Sequence, residues 1–318
     1  MDDDEPIRGQ VRLSDHRRVS HGLFLRSRDG LSDDEELHRD LRAWRLVLPP
    51  DAVFTHVTAA RLLGWRLPHL PDQVPVFAAV QGEHRPRRPG LICSRLVRTS
   101  EAHVVHGLPV DTAPEVLLRA ARDLGTLDLV IMLDSALELG HLVPADLEAL
   151  LESKRPGVAP LRAAYGLATP RCESAGETVL RLFHCVMEIA VEPQVVLRDA
   201  AGRRIGRADL LVSGTWDVHE YDGAGHRDGT QHRIDLRRER GWAGTPYTRR
   251  GFTLDDLLQH PGVVMHELDR ALDRPHQVRR LRAWRRLVDN SLYREPGRAR
   301  VLNRWRRQMG VVDWAGTA

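Results

Sequence analysis

Lysine is nearly missing from this chain. Of 47 lysines and arginines in 318 residues only Lys154 is a lysine, so chemistry that needs an ammonium must use Lys154 or do without. Cysteine is scarce as well. Cys93, Cys172 and Cys185 form no CxxC pair, which argues against a disulfide framework and against a cysteine-rich zinc site. No apolar run approaches the roughly 18 residues of a membrane-spanning helix. The opening Met1-Asp2-Asp3-Asp4-Glu5 is acidic where a secretory leader is basic and then apolar. The expectation is a cytoplasmic protein with no membrane partner. There is no nucleophile elbow, which argues against a serine hydrolase, and Gly202–Gly206 reads as a turn because no helix follows it.

What is present is ordinary for a globular protein: 42% hydrophobic and 29% charged residues, at a length that allows two cores. Val19–Leu25 alternates like a strand. Ser32 to Glu35 is a capping box opening a helix with Leu37, Leu41 and Trp44 on one face. Helices are expected at Thr58–Leu63, Thr112–Leu124, Asp128–Leu139 and Pro144–Ser153, with strands at Val74–Val80 and Leu91–Leu96. The polar segment Thr169–Ser174 marks a boundary, giving units 1–168, 169–275 and 276–318. Ser174 then caps a helix through Glu177, and three strands follow at Gln194–Arg198, Arg207–Val212 and Trp216–Asp222. A polar helix from about Thr230 to Trp242, a strand near Tyr247–Gly251 and a helix capped by Thr253 complete an α/β (α+β) core.

The acids on these strands carry the chemistry. Asp209, Glu220 and Asp222 lie in segments of Leu, Val and Trp, with His226 just beyond Gly223-Ala-Gly225. Strand alternation puts Glu220 and Asp222 on one side. A two-residue Ser213-Gly214 hairpin pairs Val212 with Thr215 and Asp209 with Val218, leaving Asp209 diagonal to Glu220 on the same face. A slip of one residue would send Asp209 to the other face. Hard oxygens so gathered suit Mg²⁺ or Mn²⁺ acting on a phosphodiester; the plainer alternative is three solvated acids on an open sheet face. Glu177 fits either the capping box or the site. Arg207, and His232, Arg237 and Arg238 on the next helix, are candidates for phosphate contact, against the commoner fate of a solvated face.

Asp209-Leu-Leu, Glu220-Tyr-Asp-Gly, His226 and the Asp235-x-x-Arg238 spacing resemble the restriction-endonuclease-like domains related to very-short-patch-repair endonucleases, in the PD-(D/E)xK superfamily. In actinobacteria such domains follow a region similar to the C-terminal part of AbiEi-type antitoxins. Here Gly22–Leu25, Thr58–Gly64, Val105–Val110 and Leu133–Leu137 carry that pattern, so the likeness spans about residues 17 to 275. The resemblance implies a metal-dependent nuclease acting on nucleic acid, DNA above all, with Asp209 and Glu220 as metal ligands and Glu177 as the first-helix acid. Asp222 falls where the superfamily keeps its lysine, so either His226 takes that role or the site is weakened. The zinc-binding cysteines are absent, and the N-terminal winged helix of AbiEi-like proteins is truncated or missing. The alternative is a non-catalytic AbiEi-like regulator that binds DNA or a toxin partner.

From His276 to Met309 eleven arginines face only Asp289 and Glu295, with Trp284, Tyr293 and Trp305 interleaved. Such a stretch either binds phosphates and stacks on bases or forms two amphipathic helices that dock Leu281, Trp284 and Trp305.

Overall fold

The computed structural model describes residues 6–9, 14–82, 85–96, 102–223 and 244–310. They form a mixed α/β protein with eleven helices and three sheets. The first sheet is a small antiparallel one, ordered β1-β3-β2, from β1 (Ile7–Arg8), β2 (His16–Ser20) and β3 (Leu23–Arg26). The alternation around Val19–Leu25 is therefore a hairpin, not one strand: Gly22, at φ 64°, reverses the chain where side chains other than glycine are strained. Helix α1 (Asp33–Arg45) opens on the expected Ser32–Glu35 capping box.

A five-stranded sheet, ordered β6-β5-β4-β8-β7, combines β4 (Val53–Phe54), β5 (Val76–Val80), β6 (Leu91–Arg95), β7 (His103–Val105) and β8 (Leu108–Val110). Strands β4, β7 and β8 escape the sequence pattern because two or three residues cannot show a period. Around the sheet lie α2 (His56–Leu62), α3 (Ala113–Ala120), α4 (Thr126–Glu138), α5 (Pro144–Leu151) and α6 (Val158–Tyr165). In α4 ten consecutive residues, Leu127 to Ala136, are buried, so the helix runs through the middle of the molecule.

The second half begins with α7 (Ala175–Val186), capped by Ser174 Oγ accepting from Glu177 N–H at 3.0 Å. Strands β9 (Val191–Arg198), β10 (Arg204–Val212) and β11 (Asp217–Tyr221) form an antiparallel meander. Strand β12 (Thr248–Phe252) joins parallel to β11, giving the order β12-β11-β10-β9. The helix expected at Thr230–Trp242 lies outside the described residues. The short α8 (Leu254–Leu258), capped by Thr253, leads into α9 (Pro261–Ala271), a helix not anticipated from the sequence, and then α10 (Val278–Asp289) and α11 (Glu295–Met309).

One apolar cluster runs from Leu23 through α4 and α7 to Trp305, so the two halves are packed together. Polar ties reinforce the join. Asp134 on α4 accepts from Thr169 N–H (2.7 Å), Thr178 Oγ1 (2.9 Å) and Arg181 Nη2 (2.9 Å), fixing α7 against α4. The Arg-rich stretch packs on the body: Trp284 and Trp305 are 0% and 1% exposed, and their ring N–H groups donate to Leu257 O and Asp123 Oδ2. Those two rings are closed to base stacking. No helix among the described residues is long and apolar enough to cross a membrane.

Asp128 closes the contact between α4 and the turn after α10. Its carboxylate accepts from Gly125 N–H at 3.1 Å and Leu292 N–H at 3.1 and 3.2 Å. Gly125 is needed there, because a Cβ would lie 2.2 Å from Asn290 O. Burial lifts the Asp128 pKa from 3.8 to about 7, against the pull of the two amides. Between pH 4 and 7 the folded protein therefore keeps a proton that the unfolded chain has lost. Asp128 should thus subtract about 1.4 kcal/mol of stability per pH unit as pH rises through that window, and nothing further above it. Urea titrations of wild type and Asp128→Asn should show a gap that changes with this slope. A gap independent of pH would rule the ionisation out.

Candidate functional site

The hairpin between β10 and β11 is wider than its sequence suggests. Leu210 pairs with His219 and Leu211 with Val218, where Asp209 was expected opposite Val218. The reason is local: Thr215 N–H and Oγ1 both bond Val212 O, and Asp217 N–H bonds Thr215 Oγ1, so residues 213–216 form a four-residue loop. The shift is two residues. Continuing the register sets Asp209 directly across from Glu220.

The ladder parts at that point. Asp222 N–H donates to Phe252 O on β12, so Tyr221 N–H turns toward β10. There it is taken by the Asp209 side chain, Oδ2 at 2.9 Å, in place of a backbone carbonyl. The pleat puts His219 and Tyr221 on the α7 side of the sheet. His219 Nδ1 and His184 Nε2 on α7 are 2.7 Å apart. Tyr221 lies so close to α7 that a Cβ on Gly176 would sit 2.1 Å from its ring. Glu220 therefore projects from the opposite side, while Asp209 caps Tyr221 N–H at the edge of the β10–β11 ladder.

Glu220 is 5% exposed, and its carboxylate is met from the neighbouring strand. Arg249 on β12 donates through Nε to Glu220 Oε2 at 2.5 Å and through Nη2 to Asp222 Oδ1 at 3.3 Å. The parallel register, Val218 with Arg249 and Glu220 with Gly251, sends the Arg249 side chain to the face of the acids. Asp222 folds over β12, where a Cβ on Gly251 would lie 1.8 Å from Asp222 Oδ2. Glu220 and Asp222 thus lie together, with a guanidinium bridging them. Among the described residues no group of three or more His, Cys, Asp or Glu side chains is arranged to hold a metal ion.

Glu177 stands apart from this group. It belongs to the first turn of α7, where Oε2 accepts from Glu173 N–H (2.9 Å) and Gln194 Nε2 (2.7 Å). Gln194 has a positive φ of 56° and lies between the pairs Val195–Ala208 and Pro193–Leu210, across from Asp209. It ties the helix acid Glu177 to β9. Gln194 and Arg249 were both missed in the sequence. Arg249 could have been found by laying the expected 247–251 strand parallel to β11, whereas nothing local announces the left-handed Gln194. Arg207 is exposed and ion-paired with Glu173. His226, His232, Arg237 and Arg238 lie outside the described residues.

The histidines within reach are not proton carriers near neutral pH. Burial pushes His184 down to about 4, and burial, with His184 and the Arg250 guanidinium close by, pushes His219 down to about 3. Both are neutral core residues that hold β11 against α7.

No family model matches the chain, and no curated protein or solved structure matches it either.

Proposed function

We propose that the chain is a metal-dependent nuclease that hydrolyses nucleic-acid phosphodiesters, with DNA as the first substrate to test. The reading rests above all on Asp209 and Glu220, which the β10–β11 register, carried on one pair, sets across from each other where the two strands part. It gains support from connectivity: a helix, an antiparallel meander, a parallel fourth strand and a further helix follow one another as in a restriction-endonuclease-like core. The donor chemistry fits Mg²⁺ or Mn²⁺, which take carboxylate oxygens on adjacent strands. When bound, such an ion supplies charge that polarises a phosphoryl oxygen and acidifies water.

The chain's own residues prepare that chemistry. Tyr221 N–H fixes the Asp209 carboxylate, Glu220 is nearly buried beside Arg249, and Gln194 ties β9 to Glu177. Asp222 cannot orient water as an ammonium would, and Lys154 sits in the turn between α5 and α6, in the other half of the chain. Supercoiled plasmid incubated with Mn²⁺ or Mg²⁺ should be nicked or linearised, and EDTA should stop it.

A second reading, an AbiEi-like regulator that binds DNA or a toxin without cutting, is favoured by one observation: Arg249 already satisfies Glu220 and Asp222. Under that reading a DNA gel shift persists in EDTA and the plasmid stays intact in every metal.

A further inference from the structure

We propose that Arg249 is the group that meets the substrate's phosphate, and that Glu220 and Asp222 hold it until a divalent cation takes over the carboxylates. This rests on the nuclease reading. Glu220 is nearly buried, and a buried carboxylate needs a positive partner. Arg249 supplies it, spanning Glu220 and Asp222 from the next strand. A divalent cation at Glu220 would satisfy the same need, but two positive groups within a few ångströms of each other repel strongly. Entry of the ion therefore favours release of the guanidinium.

The released side chain is suited to a second task. Its planar fork of N–H donors matches a phosphate oxygen pair, which an ammonium does not. Arg249 is 27% exposed, so its head already borders solvent on the face that carries Glu220. The exchange couples metal entry to substrate capture: the carboxylates trade a guanidinium for a metal ion, and the guanidinium trades a carboxylate for a phosphate.

The test uses the full-length protein with Arg249→Gln and Glu220→Gln, each checked for wild-type circular dichroism. Calorimetric titration with Mn²⁺ alone should give about tenfold tighter binding for Arg249→Gln, since its competitor is gone. Gel shifts of a short DNA duplex in Ca²⁺ should weaken about tenfold in the same variant. Glu220→Gln should lose Mn²⁺ binding and should bind DNA in EDTA several-fold more tightly than wild type, because Arg249 is released. Equal Mn²⁺ affinity in wild type and Arg249→Gln overturns the exchange, as does unchanged DNA binding. Plasmid cleavage by wild type with neither shift in Arg249→Gln sinks the exchange and leaves the nuclease standing. Both shifts without any cleavage do the reverse.

Discussion

Asp209→Asn should lower Mn²⁺-dependent plasmid cleavage by about a thousandfold or more, while leaving the fold intact. The amide oxygen of asparagine can still accept from Tyr221 N–H, so the parted end of the β10–β11 ladder stays capped. On the nuclease reading, what disappears is one carboxylate of the proposed metal site, and with it several kcal/mol of transition-state stabilisation. Asp209→Ala should lose cleavage equally and also cost about 1–2 kcal/mol of stability, because Tyr221 N–H then lacks its protein acceptor. Initial rates on supercoiled plasmid, with urea midpoints for each variant, separate the two effects. Cleavage by Asp209→Asn within tenfold of wild type would remove Asp209 from the reaction.

The contrast between Asp209 and Arg249 marks where sequence reasoning reaches. Alternation along a strand is a local property, so the closeness of Asp209 and Glu220 on adjoining strands is legible, although the hairpin loop is two residues wider than the sequence suggests. Arg249 depends on a parallel pairing across an interval of 27 to 29 residues, which no nearby period encodes. The same logic divides the rest of the fold. Capping at Ser32, Ser174 and Thr253 follows from short-range hydrogen bonding and reads directly from residue type. The brief strands β4, β7 and β8 exist only because a sheet elsewhere accepts them. Trp284 and Trp305 carried an ambiguity that composition could not resolve, since an indole suits a core and a base equally; burial places both in the core.

Replacing Asp269 is expected to be among the most destabilising single changes in the molecule. Asp269 is fully buried and accepts from Arg274 Nε (2.6 Å), His276 Nδ1 (3.0 Å) and both Nη groups of Arg280 (3.1 Å each). Burial alone would raise its pKa. The bonds from His276 and Arg274 and the charges of Arg274 and Arg280 outweigh that and hold it below the usual carboxylate range. Arg274 and Arg280 also donate to Met187 O, and Arg274 to Glu188 O, so the cluster fastens α9 and α10 to the C-terminal end of α7. Asp269→Ala leaves Arg280, only 3% exposed, as an uncompensated buried charge, and should cost about 3–5 kcal/mol. Adding Arg280→Met should recover part of the loss, because an apolar side chain of similar length restores packing without stranding a charge. Urea unfolding of the two singles and the double variant measures the coupling. A double variant no more stable than Asp269→Ala would mean that the penalty lies in lost packing around α7 and not in the buried guanidinium.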